Sequence, residues 1–150
     1  MLAVQALCAY DAIGDVFGAQ VHTFLRDSHT YADLGWSQPP PPDALDFARV
    51  LAEETWARRT DIDAVLVRLV PGWSLDRIQP VDRNILRLGL YELRECPQTP
   101  PAVVINEAIE LARLFGGGDS PAFVNGVLDA ARRELEQAVS PAAPDPGPVE

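Results

Sequence analysis

Four consecutive prolines, Pro39 to Pro42, constrain this chain more than any other feature. Proline lacks a backbone N–H and clashes with the preceding helical turn, so no helix runs through such a segment. It reads as a stiff polyproline connector. Other punctuation falls at Gly14-Asp15, Pro71-Gly72, Pro97 to Pro101 and Gly116 to Gly118. From Ser140 the sequence SPAAPDPGPVE carries four prolines and no periodic apolar face. The expected organisation is a folded unit over residues 1–138 and a disordered proline-rich tail over 139–150.

Between these breaks the apolar residues recur at helical spacing. Residues 2–13 place Val4, Leu7 and Cys8 on one face, and Val16 to Arg26 suggest a second helix. Asp43 is placed to cap a third helix carrying Leu45, Ala48 and Leu51, and Asp61 a fourth through Leu69. Residues 82–93 are apolar on most sides, which predicts a central, buried helix. Residues 102–115 form another, ended by Gly116 with a left-handed cap. Ser120 then caps the last helix, with Pro121 in its first turn. No segment alternates with period two, so the reading is all-α with about seven helices.

Hydrophobic residues make up 47% of the 150-residue chain, enough for one domain with a real core. No apolar run approaches the roughly 18 residues that span a bilayer, and no secretory signal stands at the start. The expected location is the cytoplasm. Twelve arginines and no lysine face 22 acids, for a net charge of -10. A field of that sign repels phosphate at long range, so nucleic-acid binding needs a local site. Cys8 and Cys96 form no CxxC pair and read as reduced thiols.

Chemistry-bearing clusters are sparse. His22 and His29, seven apart, share a helix face only if one helix spans both, and they lack further ligands. Ser28-His29 has no partnered acid. Gly116 to Gly118 follows a helix with no strand before it, so it is punctuation before it is a phosphate cradle. The pairs Arg58-Arg59 and Arg132-Arg133 sit among acids and read as solvated faces, or as single-strand RNA contacts if a phenylalanine is exposed nearby. Asn106-Glu107 and Asn125-Gly126 interrupt apolar helices. Buried asparagines there would lock helices together, and Gly126 suggests a close helix approach or a surface kept clear.

Residues 81–93 (VDRNILRLGLYEL), 104–115 (VINEAIELARLF) and 119–129 (DSPAFVNGVLD) occur in that order within about fifty residues. Together they resemble the signature blocks of the NusB family of transcription antitermination factors, and LAVQALCAYD resembles its first helix. The resemblance implies two three-helix bundles sharing a core. It implies a non-enzymatic protein with no cofactor or small-molecule substrate. It implies binding to boxA RNA of ribosomal RNA leaders together with ribosomal protein NusE, within the RNA polymerase elongation complex.

Carried over by position, the resemblance implies RNA contacts at Phe115, Asp119 and Phe123 and NusE contacts at Asp76, Asp82 and Cys8. Asn106, Glu107, Asn125 and Gly126 match signature positions read as structural. Family members also carry an arginine-rich segment before the first helix, whereas this sequence opens at Met1-Leu2 and its first arginine is Arg26. The expectation is a start assigned too late, since opening inside a helix discards the N-cap. The alternatives are a protein-interaction module with weakened RNA binding, or a module related to ribosomal RNA cytosine methyltransferases.

Overall fold

The computed structural model describes residues 1–139, and the expected proline-rich tail lies outside them apart from its first residue. Eight α-helices and two short 3-10 turns are present among the described residues, and no strand. They are α1 (Leu2–Ile13), α2 (Val21–Arg26), α3 (Ser28–Asp33), α4 (Pro42–Ala57), α5 (Arg59–Leu69), α6 (Pro80–Glu95), α7 (Pro101–Phe115) and α8 (Ser120–Val139). The 3-10 turns span Gly14–Ala19 and Leu75–Arg77.

Helices α1, α2 and α4 pack mutually as one bundle, and α6, α7 and α8 as the other. Helix α6 joins them, touching α1, α4 and α5 as well as its own bundle. Every residue from Asn84 to Tyr91 is buried, as a helix apolar on most sides predicts, and the burial takes in Asn84 and Arg87 as well. Leu7, Leu66, Ile85, Leu86, Leu90 and Leu128 are among the fully buried side chains of one continuous core. Each contributes about 1.5–3 kcal/mol of apolar burial. Gly89 makes room for α8: a Cβ there would stand 2.8 Å from Leu128 Cδ1.

A polar network runs through this packing. Arg87, 6% exposed, donates through Nε and Nη2 to the two oxygens of Asp63, both at 2.8 Å, and through Nη1 to Asn84 Oδ1 at 3.1 Å. Arg83 donates to Asp11 Oδ2 from Nε at 2.8 Å and from Nη2 at 2.5 Å. Asn84 Nδ2 donates to the same oxygen at 3.1 Å and to Pro80 O at 2.8 Å. One buried asparagine and two arginines therefore bind α6 to α1 and α5. Burial alone would raise the Asp11 pKa, but the hydrogen bond from Arg83 and the charges of Arg87 and Arg83 outweigh it, holding the carboxyl below its ordinary range.

Several local expectations are corrected. The single helix expected over residues 16–26 is a 3-10 turn followed by α2; the two separate at Gln20, whose N–H closes the 3-10 turn on Phe17 O at 2.8 Å. Asp27 then sits extended between α2 and α3 and accepts from His29 N at 2.8 Å, so His22 and His29 lie on different helices. Asp43 and Asp61 do not cap: α4 starts at Pro42 and α5 at Arg59, which leaves both acids inside the first turn, where the helix dipole favours them. Gly116 is extended at φ -92°, not left-handed; it is required by space, since a Cβ would stand 2.5 Å from Ser120 Oγ.

The stretch Leu2–Ala19 is long and apolar enough, by composition, to be considered as a membrane span, contrary to the sequence reading. Its geometry argues otherwise. Helix α1 has 12 residues, about 18 Å against the roughly 30 Å of a bilayer core. Its Leu2, Val4, Leu7 and Tyr10 are buried in the protein core.

Candidate functional site

The N-terminal turn of α6 places Val81 and Asp82 consecutively, and the two residues line different clefts. The larger, of about 740 Å³, lies between the Leu75–Arg77 turn and the start of α8. Trp73, Arg77, Asp82, Asp119, Ser120 and Phe123 line it. Trp73 is 60% exposed, and its ring meets that of Phe123 at 5.9 Å with a 42° tilt, forming an aromatic wall. Asp82 lies at the floor, 8% exposed. Its Oδ2 accepts from Ser120 Oγ at 2.8 Å, while its Oδ1 is buried with no hydrogen-bond partner. The tight approach at Gly116 is what lets Ser120 reach this carboxylate.

The second cleft, of about 370 Å³, lies between α1, α2 and the end of α7, with Gln5, Cys8, Phe24, Val81 and Phe115 in its lining. Phe115 is 37% exposed. Gln5 Oε1 is buried without a partner. Cys8 is half-buried, its sulfur 3.9 Å from Pro80 O and 3.7 Å from Asn84 Nδ2, and burial pushes the thiol pKa up. This thiol is a packed side chain more than a reactive one. The chain passes from one cleft to the other through Gly116 to Gly118.

The structure regroups the residues singled out from the sequence. Asp119 and Phe123 share the larger cleft with Asp82, while Phe115 stands with Cys8 in the other. Asp82 is buried at 8% exposure, and the Ser120 hydrogen bond holds it inside the cleft. Asp76, on the 3-10 turn, is exposed. Asn106, Glu107, Asn125 and Gly126 are all exposed, so the expected locking by buried asparagines is corrected. Their positions on α7 and α8 fall on the outward face, and the locking asparagine is Asn84. A Cβ on Gly126 would meet nothing within 4 Å, so it marks no helix crossing.

Sequence reasoning missed Trp73, Arg77 and the orphaned oxygen of Asp82. An aromatic two residues past Pro71 in a polar turn was a readable signal; the orphaned oxygen was not. The arginine pairs are engaged elsewhere. Arg58 pairs with Glu54, Arg59 stacks on Trp56 at 4.1 Å, and Arg132 and Arg133 both pair with Asp129. Among the described residues no cluster of three His, Cys, Asp or Glu side chains is arranged to hold a metal ion. The larger cleft offers stacking, a carboxylate acceptor and one guanidinium at the rim, a set suited to binding a planar polar group.

Comparison with known proteins bears on the family and the fold. The model of the NusB family matches residues 1–133. A transcription antitermination protein NusB from Myxococcus xanthus is 50% identical over 88 residues, 59% of this chain and 63% of that protein. Those of Streptomyces avermitilis and Acidothermus cellulolyticus are each 44% identical, over 77% and 89% of this chain and 78% and 85% of their own lengths. The solved structure of NusB from T. maritima superposes with a TM-score of 0.69 at 31% identity, covering 89% of this chain and 87% of that one. A chain from a structure described as a plectonemic RNA supercoil superposes at 0.74 with 26% identity, covering 93% and 94%. Family match, relatives and fold agree: the chain belongs to the NusB family, and the relatives it matches are transcription antitermination proteins.

Proposed function

We propose that this chain is a non-enzymatic, cytoplasmic antitermination factor that binds boxA RNA of ribosomal RNA leaders together with ribosomal protein NusE and joins the elongating RNA polymerase. The observation that carries the RNA part is the exposed Trp73 ring set against the half-buried Phe123, beside Asp119 and Arg77. Base stacking on such rings is worth about 1–3 kcal/mol per base and tolerates sequence change. Phe115, in the adjoining cleft, is a second stacking ring for the same strand. The exposed Asp76 is the acid that a basic ribosomal protein would meet, and complementary charge there would speed association. Cys8 is assigned to that surface only as a contact residue.

The reading of a protein-interaction module with weakened RNA binding draws support from the two arginine pairs being engaged in ion pairs and stacking. Anisotropy of labelled boxA RNA with this chain and NusE, at two salt concentrations, separates the readings. Salt-sensitive binding that drops at least about fivefold in Phe123→Ala supports RNA recognition. Capture of NusE with no RNA retention supports the interaction module and sinks the boxA assignment.

A further inference from the structure

We infer that the groove between the two bundles docks a helical segment of a partner protein, one whose apolar face carries an arginine a turn away from its anchoring side chain. Helices α4 and α7 both pack on α6 and leave between them a groove of about 250 Å³. It shares only Met1 with the cleft of Cys8 and no residue with the larger cleft, so this surface stands apart from the RNA-binding reading above. Its floor is apolar, with Ile85 and Leu88 of α6. The α4 side is aromatic: Phe47 is 63% exposed there, beside the half-buried Trp36 of the preceding loop. The α6 and α7 side carries Glu92 and Glu107.

A helix-lined groove with an apolar floor and an exposed phenylalanine at its rim suits the apolar face of another helix. The two acids define what else that helix carries. Neither Glu92 nor Glu107 is held by a side-chain hydrogen bond or a salt bridge among the described residues. Burial and the nearby charge of Glu107 push the Glu92 carboxyl above its ordinary range. The Met1 amino group counters this, but burial lowers its own pKa. A guanidinium from outside meets the carboxylates on one side and the faces of Phe47 and Trp36 on the other, a combination that suits arginine better than lysine. The net charge of -10 favours a basic partner over a second copy of the chain. The same two carboxylates repel phosphate, so a nucleic acid is the wrong occupant for this groove.

The test is selection of phage-displayed helical peptides of about 14 residues on the full chain, with depletion on Phe47→Asp, followed by fluorescence anisotropy of the selected peptides. The expected sequences carry arginine three or four positions from leucine or phenylalanine. Their affinity should fall at least about tenfold in Phe47→Asp and about fivefold in Glu107→Gln, and the second effect should shrink at high salt. Both positions are exposed, so both variants should fold as the parent does. Citrulline in place of the peptide's arginine needs no protein variant, and should weaken binding to the parent while leaving binding to Glu107→Gln nearly unchanged. Neutral or acidic sequences, or arginine peptides that bind the parent and Glu107→Gln equally, overturn the arginine assignment. No enrichment over the Phe47→Asp depletion overturns the docking surface altogether. A dimer in sedimentation that Phe47→Asp disperses overturns it in favour of a second copy of the chain.

Discussion

Arg87→Met tests the polar network at its most buried point. The change preserves most of the volume and helix propensity of the side chain. It removes two 2.8 Å bonds to Asp63, one at 3.1 Å to Asn84 and a 3.3 Å approach to Asp11. Asp11 keeps both Arg83 bonds and Asn84, so it stays compensated. Asp63 loses both bonds, yet its side chain is 26% exposed and recovers water on part of its surface. Breaking a buried ion pair costs about 3–5 kcal/mol, and the partial exposure of Asp63 places this case near about 3 kcal/mol. In a domain of this size that lowers Tm by about 6–12 °C. Urea titration should show a lower midpoint with an unchanged slope. The double variant Arg87→Met/Asp63→Leu, which leaves no unpaired charge between α5 and α6, should recover most of the loss. A single-variant loss under about 1 kcal/mol, or a double variant worse than the single, would refute the claim that the pair is held by mutual compensation.

Asp11→Asn should cost about 1–3 kcal/mol at pH 7. Because the folded pKa of Asp11 is depressed, its contribution is present above the ordinary carboxylate value of about 3.9 and lost as pH falls through the folded value. Urea midpoints of the variant and the parent should therefore converge in acid. Gly116→Ala should destabilise by about 1–3 kcal/mol, since its Cβ would stand 2.7 Å from Ala112 O and displace Ser120 from Asp82; thermal unfolding checks this. Gly126→Ala, in the α8 interior with open space around it, should stabilise by about 0.5–1 kcal/mol; a lower Tm would contradict that placement.

The helices with strongly apolar patterns were legible: α6 and α7 lie within two residues of the expected bounds, and α8 begins at Ser120, the residue expected to cap it. The weak region was 14–33, where the one helix expected up to Arg26 is a 3-10 turn and α2 separated at Gln20, and α3 follows beyond Asp27. Periodicity shows which residues face inward within a helix, but not where short helices change direction. The asparagines illustrate the same limit. Asn84 and Asn106 both interrupt apolar helices, and only tertiary packing makes the first a buried lock and the second an exposed residue. In the clefts, Asp119 and Phe123 were legible through the signature that carries them. Trp73 left a readable signal that was passed over, whereas the unpartnered oxygen of Asp82 was not legible, because it depends on how the Leu75–Arg77 turn meets α8.

The position of α6, in contact with helices of both bundles, bears on how the clefts keep their shape. Amides from Asn84 to Tyr91 are buried on every side and should exchange with solvent only through global unfolding. Val81 and Asp82 stand one turn from that segment, so the walls they contribute are anchored on the slowest-opening part of the molecule. A ligand entering either cleft then meets a surface already ordered by folding, and little of its binding free energy is lost to arranging the protein.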